Sequence, residues 1–139
     1  MAAPLIVSDM DGTLSTAETW RGVRAWIAAN HPSPAARLFV ALRVPLVLLA
    51  RAGLYDKEAF RARWMRDQAK LLRGLPAAEL AAMGEWVVRN HLWPARRQPA
   101  VDVLAEAVRA ARAVDPETQV ILATGAFQPI GDAFAAQVG

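Results

Sequence analysis

Leu5-Ile-Val-Ser-Asp-Met-Asp-Gly-Thr-Leu14 sets two aspartates, two residues apart, between an apolar run and a Gly-Thr turn. Residues i and i+2 of a strand point to the same side, so Asp9 and Asp11 are expected to converge just beyond a short buried strand, Leu5 to Ser8. Two carboxylates facing one point repel each other unless a cation lies between them. Magnesium suits that position, because it prefers hard oxygen ligands and is held by one or two carboxylates together with phosphate and water.

A carboxylate at a strand end is also a nucleophile. Its attack on phosphorus gives an aspartyl-phosphate and divides one hard displacement into two. The second carboxylate is placed to protonate the leaving oxygen and later to activate water. Gly12 lets the chain turn sharply, and the Thr13 hydroxyl can bond back to hold the loop at the phosphate end of the site.

A second apolar run, Gln119-Val-Ile-Leu-Ala123, ends in Thr124-Gly125-Ala126-Phe127. A hydroxyl followed by the N–H groups of a helix start makes a site for phosphate oxygens, which assigns Thr124 and Gly125 to that task. Taken alone the signal is weak; paired with the first motif it is strong.

Between the two runs lie more than a hundred residues with helical punctuation. Trp20, Val23 and Ile27 share a helical face that stops near His31-Pro32. Ser33 reads as an N-cap with Pro34 at the first helical position, opening a helix that contains Pro45 and is expected to kink there. Asp56 reads as the cap of a third helix with Phe60, Trp64 and Leu71 on one face, stopped by Gly74. Pro76 opens a fourth helix and Pro99 a fifth, which ends before Asp115-Pro116. A parallel crossover needs about a dozen residues and commonly a single helix. The surplus reads as a helical insertion over residues 17–97, set between residues 1–16 and 98–139 of an α/β core, at the strand ends where open α/β sheets bind ligands.

These residues resemble the haloacid dehalogenase-like superfamily of phosphohydrolases. Asp9-Met-Asp-Gly-Thr13 is similar to its first motif, and Val120-Ile-Leu-Ala-Thr124 with Gly125 to its second. The insertion and the Gly125-Ala-Phe127 turn resemble the helical-cap, phosphoserine-phosphatase-like subclass. The resemblance implies an α/β Rossmann-like parallel sheet, of which the first two strands are present, with an all-helical cap. It implies Asp9 as nucleophile and magnesium ligand, and Asp11 as general acid/base with its carbonyl on the metal. Thr124 and the Gly125 amide would bind the transferring phosphoryl group of a small phosphorylated substrate. The family's third motif is a downstream Lys or Arg, and none follows Arg112; its fourth is an acidic pair, and the one acid after Thr124 is Asp132. A chain truncated after the second motif, and catalytically incomplete, is therefore expected. The alternative is a non-catalytic phosphate-binding or membrane-peripheral protein of the same fold.

With 139 residues, 55% hydrophobic and 21% charged, the chain fits one globular domain. The absence of cysteine excludes disulfides and thiolate metal sites and accords with a cytoplasmic setting. Met1 to Asp9 has no basic leader and reads as the start of the fold. The net charge is +3, yet residues 19–73 hold eleven Lys/Arg against Asp56, Glu58 and Asp67, an excess of +8. That field can draw a phosphorylated substrate or an anionic membrane surface; no nucleic-acid motif accompanies it, so nucleic acid is not expected. Leu38 to Ala50 is shorter than the ~20 residues of a membrane span. We read it as a buried cap helix, although with Arg37, Arg43 and Arg51 as its charges it also fits an anionic membrane surface. His31 and His91, without companion ligands, read as surface or capping residues, and the tryptophans as packing residues.

Overall fold

A computed structural model describes residues 4–139 of the chain. Met1 to Ala3, part of the expected start of the fold, lie outside them. The order is β1 (Leu5–Asp9), α1 (Thr19–Asn30), α2 (Pro34–Arg51), α3 (Lys57–Leu71), α4 (Ala77–Val87), a π-helical turn (Val88–Leu92), α5 (Gln98–Val114), β2 (Gln119–Ala123) and α6 (Gln128–Val138). The strands form a two-stranded parallel sheet in register from Leu5–Gln119 to Asp9–Ala123. The fold is mixed α/β, as expected. Both strands end level, so the residues that follow them emerge side by side.

The helix starts follow from hydrogen-bonding needs of the first turn. Ser33 Oγ accepts from the Ala36 amide at 3.1 Å and Asp56 Oδ1 from the Ala59 amide at 2.8 Å, each satisfying an N–H that lacks a helical partner. The helix α2 runs unbroken through Pro45.

One apolar cluster joins Met10 and Leu14 to Val23, Trp26 and Ile27 of α1, Met83 and Val87 of α4, Leu92, and Ile130 and Phe134 of α6. A second joins Phe39 and Ala50 of α2 to Phe60 and Trp64 of α3, with Trp20 against them. In the first cluster the helices approach closely because two glycines let them. A Cβ at Gly84 would lie 2.3 Å from the Pro129 carbonyl oxygen, and one at Gly22 would lie 2.6 Å from Val87 Cγ1. Gly84 thus sets α4 directly on the backbone of α6, and Gly22 sets α1 against α4.

Three expectations need correction. The first strand is not buried on both faces: Leu5 and Val7 are 54% and 57% exposed, while Ile6, on the opposite face, packs on the main core. Among the described residues, helices cover one side of the sheet. Likewise α2 is not a buried cap helix, since Phe39 and Ala50 alone are fully buried and Leu38, Leu42, Val44, Leu48 and Leu49 face outward. It packs on α3 by one stripe. His91 is half-buried and serves as a packing residue: it lies against the Gly22 side of α1, with a buried Nε2 that has no partner among the described residues, whereas His31 does cap α1 and meets Glu79 Oε1 at 2.6 Å.

Candidate active site

Alternation along Asp9-Met10-Asp11 divides the chain between core and cleft. Met10 is fully buried, whereas Asp9, the last residue of β1, and Asp11, just beyond it, are exposed. The Met10 carbonyl then accepts from the amides of Leu14 at 3.0 Å and Ser15 at 3.1 Å, closing the loop over itself. Gly12 sits in that turn at φ +80°, a region that a side chain disfavours. Further on, the Arg97 amide donates to the Leu14 carbonyl at 2.8 Å and the Thr16 amide to the Ala95 carbonyl at 3.0 Å. Buried Ser15 donates to the Leu92 carbonyl at 2.8 Å. The two passages into and out of the helical region are therefore stitched together directly beneath the aspartates.

Three hydroxyls orient the carboxylates. Thr13 Oγ1 donates to Asp9 Oδ2 at 2.9 Å, leaving Asp9 Oδ1 without a protein donor. Thr19 Oγ1, at the start of α1, donates to Asp11 Oδ1 at 2.6 Å. Thr124 Oγ1 faces Asp11 Oδ2 at 3.4 Å across 113 positions of sequence and itself accepts from the Ala126 amide at 3.1 Å. The parallel register thus brings both motifs to one point. Gly125 lies beside them, lining the cleft, with open space around its Cα.

The cleft above these residues has a volume of ≈ 710 Å³. Asp9, Asp11, Gly125 and Ala126 form its floor, Glu18, Thr19 and Trp20 one side, and Glu58, Arg61, Ala62 and Met65 of α3 its roof. Among the described residues Arg61 is its one lining cation, and it is bound to Glu58 at 3.0 Å and Glu18 at 3.4 Å. Four carboxylates against one guanidinium make the cleft acidic, so an anionic ligand enters only with a cation. Both Asp9 and Asp11 offer hard oxygens with acceptor capacity to spare and no ion-pair partner among the described residues, and this donor set fits magnesium. No group of three or more His, Asp or Glu converges among the described residues, and Asp132 does not line the cleft. The remaining coordination would fall to water and substrate oxygens.

A family model for haloacid dehalogenase-like hydrolases matches residues 6–139, from the first strand to the end of α6. The chain belongs to the haloacid dehalogenase-like hydrolases. No curated protein and no solved structure matches it significantly. For a haloacid dehalogenase-like hydrolase the first motif was legible from residue spacing. Glu18, Thr19 and Arg61 were not, because their place in the cleft depends on how α1 and α3 fold over the strand ends. Thr19 alone left a signal, as a hydroxyl at the first position of a helix following an acidic loop. The basic excess of residues 19–73 does not gather at this hydrolase's cleft, which receives only Arg61 of the eleven cations.

Proposed function

We propose that this hydrolase is a magnesium-dependent phosphomonoester hydrolase of the phosphoserine-phosphatase-like subclass that works through an aspartyl-phosphate on Asp9. The observation that supports it best is the approach of Thr124 to Asp11, which unites the nucleophile loop and the phosphate-binding turn. Asp9 Oδ1, free of protein donors, attacks phosphorus while Thr13 holds Oδ2. The bond from phosphorus to the leaving oxygen breaks, and Asp11 gives that oxygen its proton. Water then attacks the aspartyl-phosphate, Asp11 takes the proton of that water, and Asp9 is released with inorganic phosphate. The Thr124 hydroxyl and the Gly125 amide hold phosphoryl oxygens during both steps. Magnesium bound by Asp9 and Asp11 would offset phosphoryl charge in an otherwise acidic cleft. Arg61, released from Glu18 or Glu58, is placed to meet an anionic group on the leaving side.

This chain is expected to be a weak catalyst; in a chromogenic phosphomonoester assay, whatever turnover the parent has should fall by about 10³-fold or more in Asp9→Asn while far-UV circular dichroism stays that of the parent. Chelation should abolish turnover and added magnesium restore it. Substantial turnover by Asp9→Asn would remove the nucleophile assignment. Binding of phosphate by a parent chain that never turns over would favour the second reading, a non-catalytic phosphate binder, which is supported by the absence among the described residues of a third carboxylate converging with Asp9 and Asp11 on one metal position.

A further inference from the structure

The helix α2 turns its stripe of Ala36, Phe39, Val40, Arg43, Leu46, Val47 and Ala50 inward, the first two turns and the last meeting α3 or the core. Arg43 lies over the Phe39 ring at 3.9 Å and pairs with Asp67, so it belongs to that inner stripe. The opposite side carries Leu38, Leu42, Val44, Leu48 and Leu49, with Leu42 65% and Leu48 59% exposed. Leu38, Leu42, Pro45 and Leu49 follow one another at i, i+4, i+7 and i+11, and Ala41, Val44 and Leu48 run alongside. No polar side chain interrupts this face between Arg37 and Arg51. Neither arginine has an ion-pair partner among the described residues.

An apolar face of this length is more than the scattered exposure normal for a surface. Its charge selects among occupants. From Ser33 to Tyr55 the chain contains three arginines and no acid. Two copies meeting through this face would set arginine against arginine with nothing to neutralise them. An anionic bilayer supplies phosphates for Arg37 and Arg51 at the two ends and an acyl boundary for the leucines between them. Among the described residues no helix is long and apolar enough to cross a membrane, so the helix lies along the interface.

We propose that α2 is a membrane-docking helix that seats its Leu38–Leu42–Leu49 face in the interface of an anionic lipid bilayer, with Arg37 and Arg51 on the headgroups. No α2 residue lines the cleft, so docking leaves the cleft open and the proposal stands apart from the reading of the reaction.

Vesicles of phosphatidylcholine alone and of phosphatidylcholine with one third phosphatidylglycerol test it by flotation over a salt series. The parent chain should bind the anionic vesicles, and more weakly as salt screens the attraction. Joint Arg37→Gln and Arg51→Gln should weaken binding about tenfold at low salt and flatten the salt dependence. Joint Leu42→Gln and Leu49→Gln should weaken it about tenfold or more at every salt concentration. Both pairs should keep the parent's circular dichroism and melting temperature, since the side chains changed are exposed. Failure of the folded parent to bind, equal binding to both vesicle types, or a lipid-free dimer dissolved by the leucine pair would each overturn the proposal; the last would assign the face to a second copy.

Discussion

The helices α2 and α4 are both mostly apolar, yet one turns half its surface to solvent and the other is gripped from several sides. The fourth helix carries Gly84 and meets Gly22, so backbone approaches backbone and Met83 and Val87 are sealed between α1 and α6. The second has no glycine and packs chiefly on α3, through Phe39, Ala50 and the Arg43 side chain, with Ala36 reaching the main core and Trp20 of α1 against the cluster. Hydrophobic content does not decide burial here. What decides it is whether the partner surface can come close enough to exclude water on a second side.

The largest expected break in this contrast is Gly84→Ala. Its new Cβ would meet the Pro129 carbonyl at 2.3 Å, and the obstacle is backbone that cannot rotate away. Denaturant unfolding should show a loss of about 2–3 kcal/mol, as overpacking produces when neighbours must shift. An unchanged midpoint would mean that α4 and α6 are not held at that distance. Arg43→Ala comes next, with about 1–2 kcal/mol expected from losing the charged hydrogen bond to Asp67 and the contact with Phe39. Hydrogen exchange should place that loss in α2 and α3, with α4 amides protected as before. Uniform loosening of all helices would show that the second cluster is not an independent unit.

Acid provides a milder probe of the same side of the molecule. Asp67, with a side chain only 13% exposed, is bonded by Lys70 and Arg43, and these bonds lower its pKa from 3.8 to about 2. A carboxyl depressed in the folded state stabilises the fold above its unfolded pKa and loses that contribution as pH falls through the folded value. The parent should therefore lose stability between about pH 4 and pH 2 more steeply than Asp67→Asn, measured by thermal melts across that range. Parallel curves would show that the pair contributes nothing. Smallest of all, Leu42→Gln alone should change stability by less than about 0.5 kcal/mol, because no buried contact is lost. A larger drop in the melt would mean that Leu42 is covered in the free protein.

Particular residues show what the sequence made legible. Ser33, Asp56, Pro34 and Pro99 act through the first turn of a helix, and local chemistry of that kind reads directly from order along the chain. The same holds for the meeting of the Asp9-x-Asp11 loop with Thr124, which depends on strand alternation and strand ends. The orientation of α2 did not read out, because a run from Leu38 to Ala50 with two breaks has no polar face to betray its outside. The exposure of Leu5 and Val7 was missed for a related reason: an apolar strand signals the burial of one face as readily as of two. The turn Val88–Leu92 left no local signal at all, and Arg61 reaches the cleft only through the packing of Phe60 and Trp64 on α2.

The contact between Thr124 and Asp11 also says when, during folding, the cleft comes into being. Its partners are 113 positions apart, and the paired residues of the two strands beneath them are about as distant. Bringing such distant segments together costs roughly 4 kcal/mol of loop entropy beyond a constant, which must be met before the pairing returns anything. The helices between them form from neighbours a few residues apart and shorten the path that remains. The helices between the strands therefore shorten the loop that the strand pairing must close, and Asp11 is expected to meet Thr124 only after they have formed.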